Sequence, residues 1–86
     1  MKVRFRITQK DIREGLGGEC RKCPVALAIA RRVNQPVFVS PTPGINIGHY
    51  VWDMPIKILE FVTRFDWGML VQPMSFTLDI PKEFLR

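Results

Sequence analysis

The residues best equipped for chemistry lie in one run, Glu19-Cys20-Arg21-Lys22-Cys23-Pro24-Val25-Ala26-Leu27-Ala28-Ile29-Ala30-Arg31-Arg32. It holds both cysteines of the chain and ends in paired arginines. The Cys20-x-x-Cys23 spacing supplies two of the four ligands that structural zinc needs. His49 is the single histidine, so a zinc centre would consist of Cys20, Cys23, His49 and a carboxylate (Glu19 or Asp53) or water. A redox reading also starts from this run. Cys23 at a helix start, flanked by Arg21 and Lys22, is expected to have a lowered thiol pKa. Dithiol oxidoreductases, however, put the first cysteine at the helix start and follow a βαβ pattern. A c-type haem attachment fails because Pro24 stands where a histidine is required. The plainer expectation is that Cys23 caps a helix and both thiols pack as small side chains, with no metal or cofactor.

Cations form the second set. Lys2, Arg4 and Arg6 alternate along an N-terminal stretch, and Arg31 and Arg32 close the central helix, where positive charge offsets the macrodipole. Arg4, Arg6, Arg31 and Arg32, together with Arg21 and Lys22, could make an anion-binding surface, aided by the amides at Cys23-Pro24. His49, Tyr50, Trp52 and Asp53 lie close together, and Tyr50 and Trp52 are the candidates for stacking on a base. None of the sequence signatures of a nucleic-acid-binding fold accompanies them. Trp67, Met69 and Leu70 are either core or a contact patch for a partner or a second copy.

The elements that must position these residues follow from periodicity. Residues 2–8 read as a strand with Val3, Phe5 and Ile7 on one face. Thr8-Gln9-Lys10-Asp11 approximates a capping box and starts a short helix that Gly15, Gly17 and Gly18 end. The central helix opens with Cys23 as N-cap and Pro24 first. It carries Val25, Ala26, Ile29, Ala30 and Val33 on one face, and Asn34 and Pro36 stop it. Val37–Ser40 reads as a strand buried on both faces. Pro41, Pro43 and Gly44 form a turn, and Ile45–Trp52 a hairpin bent at Gly48. Asp53 is the expected N-cap of a last helix, with Ile58, Leu59, Phe61, Val62 and Phe65 inside and a Glu60–Arg64 pair outside. Ser75–Ile80 is the last strand, and Asp79 could pair with the basic row if the two terminal strands are neighbours.

The order β-α-α-β-β-α-β predicts one α+β domain over residues 1–86, with a mostly antiparallel sheet and helices on one face. The 86 residues allow one small core, and 47% apolar with 24% charged residues argues against disorder. The net charge of +5 favours anionic partners. No apolar run is long enough to span a membrane. The N-terminal stretch lacks the apolar segment and cleavage site of a signal peptide, so the expected location is the cytoplasm, with reduced thiols.

Thr8-Gln9-Lys10-Asp11-Ile12-Arg13-Glu14-Gly15, followed by Cys23-Pro24-Val25-Ala26-Leu27-Ala28, resembles a family of short phage, prophage and bacterial proteins. These share an I-T-x-x-D-I-x-x-G opening and a C-P-V/I-A-L-A helix. The likeness extends through Pro55-Ile56, Phe61-Val62, Phe65-Asp66-Trp67-Gly68 and Val71-Gln72-Pro73-Met74-Ser75-Phe76, most of the chain. Cys20 is not part of that pattern, which argues against zinc and redox roles. The resemblance implies no particular activity. Its phage setting implies a small protein that interferes with a host system by stoichiometric binding. The expectation is therefore a non-enzymatic phage-type accessory or anti-defence protein in the host cytoplasm. It would bind a nucleotide signal or a host protein through Arg4, Arg6, Arg31, Arg32, Tyr50 and Trp52, as a single chain or a homo-oligomer. The alternative is a zinc-dependent nucleic-acid-binding module.

Overall fold

Alternation along the first strand sets the geometry of the whole chain. In β1 (Lys2–Ile7), Val3, Phe5 and Ile7 are buried, while Lys2, Arg4 and Arg6 are exposed. A computed structural model describes residues 1–40 and 44–86. The turn expected at Pro41 and Pro43 lies outside the described residues. β1 pairs antiparallel with β5 (Met74–Asp79) in the register Lys2↔Asp79 to Ile7↔Met74, so the terminal strands are neighbours. Phe5 and Phe76 stack across the pair with centroids 5.4 Å apart. Such a cross-strand aromatic contact contributes about 0.5–1.5 kcal/mol beyond the burial itself.

Three more strands form a second antiparallel sheet, β2 (Val37–Val39), β3 (Ile45–Ile47) and β4 (Tyr50–Trp52), in spatial order β2-β3-β4. The sequence suggested one sheet; the pairing divides into two. Gly48 turns β3 into β4 with φ +61°, and His49 follows at negative φ. A left-handed glycine in first position suits the two-residue hairpin turn because it matches the twist of the strands. Phe38 is exposed between buried Val37 and Val39. β2 is thus an edge strand with one wet face, not a strand buried on both sides.

Three helices complete the α+β fold. Thr8 caps α1 (Gln9–Glu14): its hydroxyl accepts the Asp11 N–H at 3.1 Å, and Asp11 Oδ2 accepts the Thr8 N–H at 2.9 Å. Cys23 caps α2 (Pro24–Ala30), its Sγ accepting the Ala26 N–H at 3.5 Å. Val25, Ala26, Ala28 and Ile29 are fully buried, and α2 contacts both β1 and β2. The alanines let it fit between the two sheets. The helix ends three residues before Val33, because the Arg32 N–H turns to the Ile29 carbonyl at 2.9 Å and Val33 pairs with Leu85 instead.

In α3 (Ile56–Asp66), Ile58, Phe61 and Val62 enter the core, with Leu59 and Phe65 half-buried. Pro55 rather than Asp53 stands at its N-cap, and no side chain caps it. Asp53 is held out in the extended segment that leaves β4, while the Pro55 carbonyl takes the Ile58 and Leu59 N–H groups. The C-terminus of α3 is a Schellman motif: Met69 N–H reaches Arg64 O, Gly68 N–H reaches Phe65 O, and Gly68 has φ +75°. Glu60 and Arg64 make no ion pair. Those among the described residues are Met1–Asp79 and Asp11–Arg31. A final 3₁₀ turn (Lys82–Phe84) folds the tail back beside Val33. No helix among the described residues is long and apolar enough to cross a membrane.

Candidate functional site

β1 and the end of α2 bring four of the expected site residues together. Arg4 and Arg6 from β1, with Arg31 and Arg32 from the turn after α2, line one open cleft of about 400 Å³, along with Thr8 and Ala28. The short α2 makes this possible. Because it stops at Ala30, the next two side chains swing across to β1 instead of continuing along a helix face.

The arginines are not equivalent. Arg31 grips Asp11 with both ends of its fork, Nη1 to Oδ1 at 2.7 Å and Nη2 to Oδ2 at 3.0 Å, and Nη2 also donates to the Arg6 carbonyl at 2.9 Å. Arg32 Nη1 donates to the Arg4 carbonyl at 3.1 Å. Among the described residues, the Arg4 and Arg6 guanidinium groups meet no carboxylate. The charge available to a ligand therefore comes from Arg4, Arg6 and Arg32, while Asp11 offsets that of Arg31.

Asp11 is the functional residue that sequence reading missed as a partner. It is 4% exposed and the one buried charged side chain among the described residues. Burial pushes its pKa up, but the Arg31 hydrogen bonds, the Thr8 N–H and hydroxyl, and the Arg31 charge outweigh burial and hold it below the usual 3.8. The same contact raises the Arg31 pKa. The capping box was readable, yet nothing in residues 8–11 indicates that the box carboxylate also meets an arginine 20 positions away.

Tyr50 and Trp52 do not line this cleft. They stack on one another with centroids 6.1 Å apart, and Phe84 meets Tyr50 edge-on at 5.3 Å. Trp52 Nε1 donates to the Asp79 carbonyl at 3.0 Å, on the outer edge of β5. The tail joins the two regions, since Arg86 N–H donates to Arg32 O and Phe84 O accepts from Asn34 N–H.

The cysteine run does something different from what its composition suggested. Cys20 and Cys23 are free thiols beside a cleft of about 160 Å³ that Glu19, Val39, Val62 and Asp66 also line. The Cys20 carbonyl accepts the Val39 N–H at 2.8 Å, which ties the run to the edge of β2. Cys23 is 3% exposed, and burial, more than any neighbour, pushes its thiol pKa up, opposite to the lowered value expected from Arg21 and Lys22. With Cys23 and Pro24 buried and the Ala26 N–H taken by Sγ, this helix start offers no amides to a ligand. His49 sits in the β3–β4 turn, and Cys20, Cys23 and His49 form no cluster. Among the described residues no group of three or more His, Cys, Asp or Glu is placed to hold a metal ion.

Trp67, Met69 and Leu70 are surface, not core; Trp67 is 81% and Leu70 84% exposed. Ile12, Phe65 and Val71 line the groove beside Met69 and Leu70. No protein-family model, curated protein or solved structure matches the chain.

Proposed function

We propose that this chain is a small non-enzymatic binding protein whose ligand is an anion held in the cleft between β1 and the end of α2. One observation carries the reading: four arginines converge on a single open cleft, and only one of them is matched by a carboxylate. Cations gathered this way repel one another unless an anion joins them. The net charge of +5 adds long-range attraction for the same class of ligand. Combined with the resemblance to short phage and prophage proteins, the reading is of an accessory or anti-defence protein that sequesters a nucleotide signal in the host cytoplasm.

Calorimetric titration with nucleotides at low salt tests it. Binding is expected to weaken at least about tenfold in Arg4→Gln and in Arg32→Gln, since charge-assisted hydrogen bonds of this type are the strong ones. Absence of binding by any phosphate-bearing compound at low salt would remove the proposal. A second reading, capture of a host protein, is favoured by a different observation, the exposed Trp67, Met69 and Leu70 corner. Large apolar residues left in water at a chain reversal are typical of contact surfaces.

A further inference from the structure

The phase of the β1–β5 ladder determines what the outer edge of β1 offers. In an antiparallel pair, residues alternate between those whose N–H and C=O both face the partner and those whose N–H and C=O both face away. Ile80 N–H donates to Met1 O at 2.8 Å and Met1 N donates to Ile80 O at 3.1 Å, so Met1 faces β5. Stepping two residues at a time along the register, Val3, Phe5 and Ile7 face β5 as well. Lys2, Arg4 and Arg6 then turn their N–H and C=O groups to the outer edge. The guanidinium bonds agree with this phase, since Arg32 meets Arg4 O and Arg31 meets Arg6 O.

These two bonds occupy the Arg4 and Arg6 carbonyls, leaving that of Lys2 at the far end of the edge, and they leave the donors of the Arg4–Arg6 stretch free. Among the described residues no acceptor meets the N–H of Arg4 or of Arg6. An added β-strand must both donate and accept along an edge. Here its own N–H groups would find the carbonyls taken and two guanidinium groups in the way. A ligand that only accepts and is negatively charged meets neither obstacle, and phosphoryl oxygens fit that description. Residues i and i+2 of a strand are about 6.6 Å apart, so their parallel N–H groups cannot both point at one phosphate. They match two phosphates roughly one sugar-phosphate repeat apart.

We propose that the Arg4–Arg6 stretch of the outer edge of β1 is a donor-only rail for two consecutive phosphates of a nucleotide ligand. The backbone N–H groups of Arg4 and Arg6 each take a phosphoryl oxygen, and the Arg4, Arg6 and Arg32 side chains neutralise the charge. This rests on the anion-binding reading above and narrows it to a ligand with two phosphates.

The test is an amide-resolved NMR titration at low salt with adenosine monophosphate, 5′-phosphorylated dithymidine, longer oligothymidines and an alternating Glu-Val peptide. The expected result is saturable shifts of the Arg4 and Arg6 amide signals, at least about tenfold tighter for the two-phosphate dinucleotide than for the monophosphate. Affinity that levels off at the dinucleotide identifies a small signal as the source. Affinity and salt dependence that keep rising with length identify a nucleic-acid strand. Binding of the phosphates with both amides unmoved would sink the rail and leave the anion-binding reading standing. Equal affinity for one and two phosphates, or cross-strand contacts to the Glu-Val peptide, would also overturn it. No binding by any probe would end both.

Discussion

At the scale of single residues, Asp11 does the most with the least exposure. It completes a helix cap, neutralises Arg31 and, through Arg31, covers the Arg6 carbonyl. Asp11→Asn keeps the size but points an amide donor at a guanidinium. The half-exposed Arg31 can swing to water, so the expected loss is about 1.5–3 kcal/mol rather than the full cost of a stranded buried charge. The pH dependence has a definite sign. Because the folded Asp11 pKa lies below 3.8, its stabilisation is fully present above that value and is lost as pH falls through the lower folded pKa. Urea melts across the acid range should show a steeper fall in stability for the native protein than for Asp11→Asn. Parallel curves would contradict the assignment. Local signals made the two caps legible: Thr8 with Asp11, and Cys23 before Pro24, each act within three residues. The Asp11–Arg31 pair was not legible because only tertiary packing brings α1 against the end of α2.

At the scale of elements, α2 is a spacer between two sheets. Ala28 is buried and lines the floor of the arginine cleft. Ala28→Leu adds volume where neither sheet can retreat, with an expected cost of about 1–3 kcal/mol and a displaced cleft. A chemical denaturation midpoint unchanged by this substitution would show the packing to be looser than described. Periodicity placed the three helices and the terminal strands in order, though it counted two strands between α2 and α3 where the structure has three; it also overran α2 to Val33 and assigned Asp53 as a cap. In both places a long-range contact overrode the local preference. Val33 is drawn out by Leu85, and the pairing of β4 with β3 through Trp52 holds Asp53 extended, three residues short of the first residue of α3. The split into two sheets was equally illegible, since strand partners are set by which faces α2 can cover at once.

At the scale of the molecule, the two candidate surfaces line different clefts. One is the basic rim along β1; the other is the apolar reversal after α3. Trp67 and Leu70 add little to the core, so Trp67→Ser with Leu70→Ser is expected to leave stability within about 0.5 kcal/mol. The same double variant should abolish pull-down of any protein partner while leaving nucleotide affinity intact. Loss of nucleotide binding would show that the two surfaces are one. Composition made the basic character plain. It could not reveal that Arg31 is spent internally while Arg4, Arg6 and Arg32 remain, because that depends on where a single carboxylate ends up.

The β1–β5 pairing also fixes an order of events during synthesis. Met1 and Ile80 are hydrogen-bonded although they stand 79 positions apart. Bringing such distant partners together costs roughly 4 kcal/mol of chain entropy by loop-closure scaling. On the ribosome β1 emerges well before β5, because α1, α2, β2, β3, β4 and α3 are all made between them. Until then Val3, Phe5 and Ile7 lack their partner strand, and Lys2, Arg4 and Arg6 are the charges that alternate with them. Charges so placed keep an apolar strand from mispairing, so the Lys2, Arg4 and Arg6 row suits a gatekeeping role for a strand that is made early and paired late.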